Sequence, residues 1–192
     1  MEVFALDRPG FGSSGSGRAW PSLDDQASAV AALLPDDDRP VVLLGHSLGG
    51  AVAARVAADH PHRVAGLVLL AASLSPDLEV VHPLQRIGDW PPLRALLPRS
   101  IRHANSELLA FEAELRTLQT RLNRVRARVA IVHGSLDDLV PVANVPYMQV
   151  ELSGAQALRT MVLPGRNHFL PWNSADVVRE AIAWASIVEG GI

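Results

Sequence analysis

The chain contains neither cysteine nor lysine in its 192 residues. The first absence excludes disulfides, thiolate nucleophiles, iron–sulfur clusters and cysteine zinc sites. The second excludes Schiff-base chemistry, pyridoxal phosphate anchoring and the phosphate-loop lysine. All 17 basic residues are therefore arginine, and against 20 acidic residues they leave a net charge of -3. That balance is too even to imply a nucleic-acid or anionic-membrane partner, so neither is expected. Long apolar runs are also missing. Val41 to Leu44 and Leu67 to Ala72 are far too short to span a bilayer. The opening Met-Glu-Val-Phe-Ala-Leu-Asp lacks the basic start and apolar stretch of a signal peptide, and the expected location is the cytoplasm.

What is present is a chain of 48% hydrophobic and 19% charged residues, a composition that folds. At this length ~70% of the unfolded chain's surface can be buried, enough for a core without staples. Short apolar runs at Val3 to Leu6, Val41 to Leu44, Val64 to Leu70, Val129 to Val132 and Thr160 to Leu163 read as buried strands. Helical patterns separate them: Ser22 to Leu34 with Ser22 as N-cap, Gly49 to Asp59, and a C-terminal helix carrying Val177, Ala181, Trp184 and Val188 after an Asn173-Ser174 cap. Strand–helix alternation predicts an α/β fold, a mostly parallel sheet with helices on both faces. Residues 74–104 hold five of the 14 prolines and no clean strand, and read as an excursion of short helices. Leu108, Phe111, Leu115, Leu118, Leu122 and Val125 then mark one face of a long helix. The five arginines from Arg116 to Arg128 read as a solvated helix end. The whole chain, 1–192, is taken as one domain.

Two glycine motifs compete for the chemistry. Gly10-Phe11-Gly12-Ser13-Ser14-Gly15 has dinucleotide-loop spacing, but Gly17, Trp20 and Pro21 keep the chain out of helix until Ser22. A pyrophosphate needs a helix N-terminus at once, so this is read as a plain loop and no cofactor is expected. Val41-Val42-Leu43-Leu44-Gly45-His46-Ser47-Leu48-Gly49-Gly50 is a strand running straight into a helix through G-x-S-x-G. That arrangement lifts the Ser47 hydroxyl clear of the sheet on a strained turn. A side chain at Gly45 or Gly49 is expected to clash across it, and the Leu48 amide is placed to donate to an oxyanion.

A serine hydroxyl is inert without a base, and the base needs an orienting acid. His133-Gly134-Ser135-Leu136-Asp137-Asp138 follows one strand, and Pro164-Gly165-Arg166-Asn167-His168-Phe169 follows the next. Both loops lie at strand C-termini, where an open α/β sheet gathers its site. The order Ser, Asp, His agrees with the elbow. His46 is expected to pack beside the site, His133 in the core, and His60 and His62 in solvent. His82 and His103 fall in the excursion, where a substrate contact is conceivable. No histidine pair sits at metal-ligand spacing with matching acids, and no metal is expected.

These residues resemble the α/β-hydrolase family. Asp7-Arg8-Pro9-Gly10-Phe11-Gly12-Ser13-Ser14 resembles the loop after that family's fourth strand, Gly45 to Gly50 its elbow, Gly134 to Pro141 its acid loop and Asn167-His168-Phe169 its histidine loop. The resemblance implies Ser47, Asp137 and His168 as catalytic residues, with Asp137 chosen over Asp138 by its spacing from Gly134. It implies 74–104 as a short cap, and a small-molecule acyl substrate. Serine rather than aspartate at the elbow implies ester-type acyl transfer. The family places three strands before the Asp7 loop, and a histidine–glycine loop that supplies a second oxyanion amide. Here six residues precede Asp7, as in an N-terminally truncated member, a chain with a mis-set start or a divergent member with a rearranged sheet. Two functions follow: a serine hydrolase working through an acyl-enzyme, or an impaired hydrolase or binding module with half an oxyanion hole. The missing middle strand predicts that Val3 to Leu6 slides over to pair with Val41 to Leu44, carrying the 10–17 loop towards Ser47. The alternative is a homodimer formed by strand exchange.

Overall fold

The structure, a computed structural model, describes residues 2–15, 17–37, 39–81 and 83–187. Four apolar runs rich in β-branched residues form β1 (Val41–His46), β2 (Val64–Leu70), β3 (Arg128–Gly134) and β4 (Ala157–Leu163). They pair in parallel in the order β1-β2-β3-β4. Side chains alternate across the pleat: Leu67, Leu69, Val129 and Ile131 enter one core, and Val68, Leu70, Ala130 and Val132 the other. Burial on both faces is why β2 and β3 are unbroken apolar runs.

Helices α1 (Leu23–Ala31) and α2 (Leu48–Asp59) cover the first face. The Ser22 hydroxyl caps α1 by accepting the Asp25 amide. The segment after β2 holds a 3-10 turn at Pro76–Leu78 and the six-residue helices α3 (Pro83–Gly88) and α4 (Pro91–Leu96), with no strand among the described residues. A long helix, α5 (Arg99–Gln119), then buries Phe111, Leu115 and Leu118 against the same core. Its start at Arg99 lies inside the segment that the prolines had marked as an excursion. After β3, α6 (Asn144–Glu151) completes this face, and α7 (Leu170–Asn173) and α8 (Ala175–Ala185) cover the other through Leu170, Ala181 and Ala185. Val188, expected in the last helix, lies outside the described residues.

The arginines after Phe111 are mostly occupied. Arg116 pairs with Asp77 and Glu112, Arg121 with Asp59, and Arg126 donates to the Asn123 and Gly154 carbonyls. Arg128 begins β3 with its guanidinium over the Trp184 ring. No described helix is long and apolar enough to cross a membrane.

The sliding expectation fails. Residues 2–6 form no ladder with β1, and Val3, Phe4 and Leu6 are 74%, 74% and 46% exposed. Both ends of this segment are held elsewhere. Arg8 donates to buried Glu107 on α5 (2.6 Å) and to Gln26 on α1 (2.7 Å), and Glu2 lies 3.9 Å from Arg39. Nor does pairing energy compel the move. The outer edge of β1 lies beside exposed Leu44, where water can satisfy amides that a buried edge would leave unpaired. Gly10 and Phe11 are likewise anchored on α5. The His103 ring bonds the Gly10 carbonyl (2.9 Å) and meets Phe11 edge-on. His103, weighed as a substrate contact, is buried in this anchor. His82 lies outside the described residues.

Candidate active site

The turn from β1 into α2 is built by short contacts. Ser47 has φ 55° and ψ -129°, a region that non-glycine residues rarely occupy and that costs ~1–3 kcal/mol. Its amide donates to the Leu70 carbonyl of β2 (3.0 Å), which pins the strained residue to the sheet. A Cβ on Gly45 would lie 2.3 Å from the Gly49 oxygen. Gly49 itself has open space, contrary to the expected clash there. The second close approach is at Gly50, where a Cβ would meet that of Ala72 at 2.4 Å. The sequence could not separate these neighbours, because the deciding contact comes from the loop after β2. The Leu48 amide opens α2 and donates to no described residue, which leaves it available at the positive end of the helix dipole.

The loop after β3 is folded around one carboxylate. Asp137 Oδ1 accepts the amides of Leu139 (3.0 Å) and Val140 (2.8 Å), and Oδ2 accepts from His168 Nδ1 (2.8 Å). Both the Asp137 side chain and His168 are buried, whereas Asp138 is exposed. With Nδ1–H directed at a carboxylate, His168 Nε2 presents its lone pair. The histidine loop reaches the elbow through His46, whose Nε2 donates to the His168 carbonyl (2.9 Å). The two rings lie 4.6 Å apart, with Trp172 edge-on to His46. Ser47 thus stands one residue from a group in direct contact with His168. Its hydroxyl makes no hydrogen bond to a described residue.

Two supports were not legible in the sequence. Asn144, fully buried, accepts the Leu74 and Ser75 amides (2.9 Å each) and donates to the Pro141 carbonyl. It ties the acid loop to the base of the 74–104 segment. His133 is fully buried, donates Nε2–H to the Val140 carbonyl (3.0 Å), and lies 3.6 Å from Asp137 Oδ2. Burial pushes the pKa of His133 down, and that of His46 likewise.

A lowered histidine pKa fixes the sign of a pH effect. The unfolded chain binds the proton near pH 6.5 and the folded chain does not, so this stability is present above that pH and lost as pH falls. Glu79 and Glu107, both raised by burial, act in the opposite sense. The comparison of native protein with His133→Gln removes them. Unfolding free energies measured by denaturant titration from pH 7 to pH 5 should fall more steeply for the native protein, by up to ~1.4 kcal/mol per pH unit. Parallel curves would show that His133 is not held neutral.

Comparison with known proteins gives one family and several relatives. Residues 1–130 match the family described as alpha/beta hydrolase fold. The chain is 31% identical over 164 residues to a pimeloyl-[acyl-carrier protein] methyl ester esterase of Photorhabdus laumondii, covering 83% of this chain and 56% of that protein. It is 46% identical over 78 residues to Lipase LipV of Mycobacterium tuberculosis, covering 40% of this chain and 30% of that one. It therefore spans about half or less of these two relatives. Among solved structures, a monoacylglycerol lipase of Paleococcus ferrophilus superposes with a TM-score of 0.72 at 19% identity, over 94% of this chain and 81% of the other.

Proposed function

We propose, from the premise that this chain belongs to the alpha/beta hydrolase fold family, that it is a serine hydrolase of carboxylic esters. The observation that carries the reading is the buried Asp137–His168 pair, held through His46 against the strained Ser47 elbow. In this reading the Ser47 oxygen attacks the ester carbonyl carbon while its proton passes to His168 Nε2. Asp137 keeps the Nδ1–H donor in place and stabilises the imidazolium. The carbonyl oxygen becomes an oxyanion that accepts the Leu48 amide. Collapse breaks the ester bond, and His168 returns the proton to the departing alcohol. Water, deprotonated by the same histidine, then releases the acid and restores the serine. The Ser47–His168 hydrogen bond is made as substrate binds, since such contacts commonly tighten only in the reactive complex.

A second reading is a binding module or impaired enzyme, in which the oxyanion has the Leu48 amide and no second donor. One donor typically accounts for ~2.7–4 kcal/mol of transition-state stabilisation. The acid separates the readings. Asp137→Asn should reduce kcat on a short-chain ester by ~10⁴-fold, and Asp138→Asn by less than about threefold. The reverse order would move the acid to Asp138. A native chain that hydrolyses no ester would favour the second reading.

A further inference from the structure

We propose that the outer face formed by α3, α4 and the start of α5 docks on an anionic lipid surface. Neither α3 nor α4 buries a single side chain, although each is only six residues long. Helices this short are not sustained by propensity and depend on packing of an apolar face. That face is uncovered here. Leu84, Ile87, Trp90, Leu93, Leu96 and Ile101 are all exposed, Leu96 at 83%, so eighteen consecutive residues hold six large apolar side chains in water. Single exposed leucines need no explanation, whereas Leu84, Ile87, Leu93 and Ile101 line one groove, and such a contiguous set marks an interaction surface.

The groove lies on the side of α5 away from its seat. Leu84, Ile87, Leu93 and Leu97 share a groove with Ile101 and Asn105 of α5. Ile101 and Asn105 lie two residues from His103 and Glu107 respectively, hence about 160° round the helix from each. His103 and Glu107 are the buried residues that seat α5 on the Arg8–Gly10 loop. None of Ser47, Asp137 and His168 lines the groove.

Charge identifies the occupant. Residues 84–102 carry Arg86, Arg94, Arg99 and Arg102 against one acid, Asp89, a net +3. The whole chain is -3, so the remaining residues carry -6. Asp89 is already paired with Arg94 (3.0 Å), and Arg86, Arg99 and Arg102 have no acidic partner among the described residues. A second copy meeting this face symmetrically would set +3 against +3, a repulsive arrangement. An anionic bilayer satisfies both features in one layer. Arginines lie at headgroup depth, Trp90 at the boundary, and the leucines below it. The whole-chain charge, which speaks against an anionic membrane, averages this segregation away.

The test uses the full chain and does not depend on Ser47. Flotation with vesicles of phosphatidylglycerol and phosphatidylcholine, and of phosphatidylcholine alone, measures binding at low and raised salt. Binding should favour the anionic vesicles and weaken with salt. Leu96→Asp should reduce it at least tenfold, and Arg86→Gln and Arg99→Gln about fivefold each, following ~1 kcal/mol per surface arginine. These side chains are exposed, so unchanged thermal midpoints verify the fold. Equal affinity for both vesicle types, no binding to either, or full binding by Leu96→Asp overturns the proposal. So does self-association in sedimentation velocity that Leu96→Asp abolishes, which assigns the face to a second copy.

Discussion

Ser47→Ala is expected to lower ester hydrolysis by ~10⁴- to 10⁶-fold, His168→Ala to a similar extent, and the double variant no further. The non-additivity follows from the geometry. Ser47 is nucleophilic only if His168 takes its proton, and His168 has that capacity only while Asp137 holds Nδ1 at 2.8 Å. Alanine keeps the Cβ that the φ 55° turn already tolerates, so the fold should be unchanged. Rates on p-nitrophenyl acetate, corrected for spontaneous hydrolysis, make the comparison. Half the native rate in Ser47→Ala would end the assignment.

The largest effect on stability is expected at Gly45. An alanine there places its Cβ 2.3 Å from the Gly49 oxygen and 2.6 Å from the Gly49 carbon and Gly50 Cα. All three are backbone atoms of the first turn of α2, which is anchored by the Ser47 amide on β2 and cannot yield cheaply. The strain should cost about 3 kcal/mol or more. For a chain of this size that lowers the thermal midpoint by roughly 6–12 °C. Gly49→Ala, two residues beyond the nucleophile, meets nothing within 4 Å and should be neutral or stabilising by up to ~1 kcal/mol. Thermal melts of the two variants side by side give opposite signs in this account. Equal losses would mean that the elbow is tight at both glycines.

Their contrast shows where sequence reading stops. Periodicity recovers β2 at Val64–Leu70 because a strand buried on both faces must be continuously apolar. It misassigns Val3 to Leu6, whose composition is the same, because composition cannot say whether a partner strand lies beside it. The fate of that segment is decided by Arg8 with Glu107 and Gln26, 99 and 18 residues away along the chain. The elbow, acid and histidine loops were readable because each is a local motif at a strand end. The clamp from His46 to the His168 carbonyl and the Asn144 tether were not, since both join distant loops.

The central claim is that Ser47 is an activated nucleophile served by His168 and Asp137. Intact-mass and peptide mass spectrometry after treatment with a fluorophosphonate tests it most directly. The account predicts one phosphonyl adduct, located on Ser47, absent from Ser47→Ala, and slowed at least a thousandfold in His168→Ala. An adduct that persists in Ser47→Ala, or a native chain that stays unlabelled while a control serine esterase reacts fully, would contradict it.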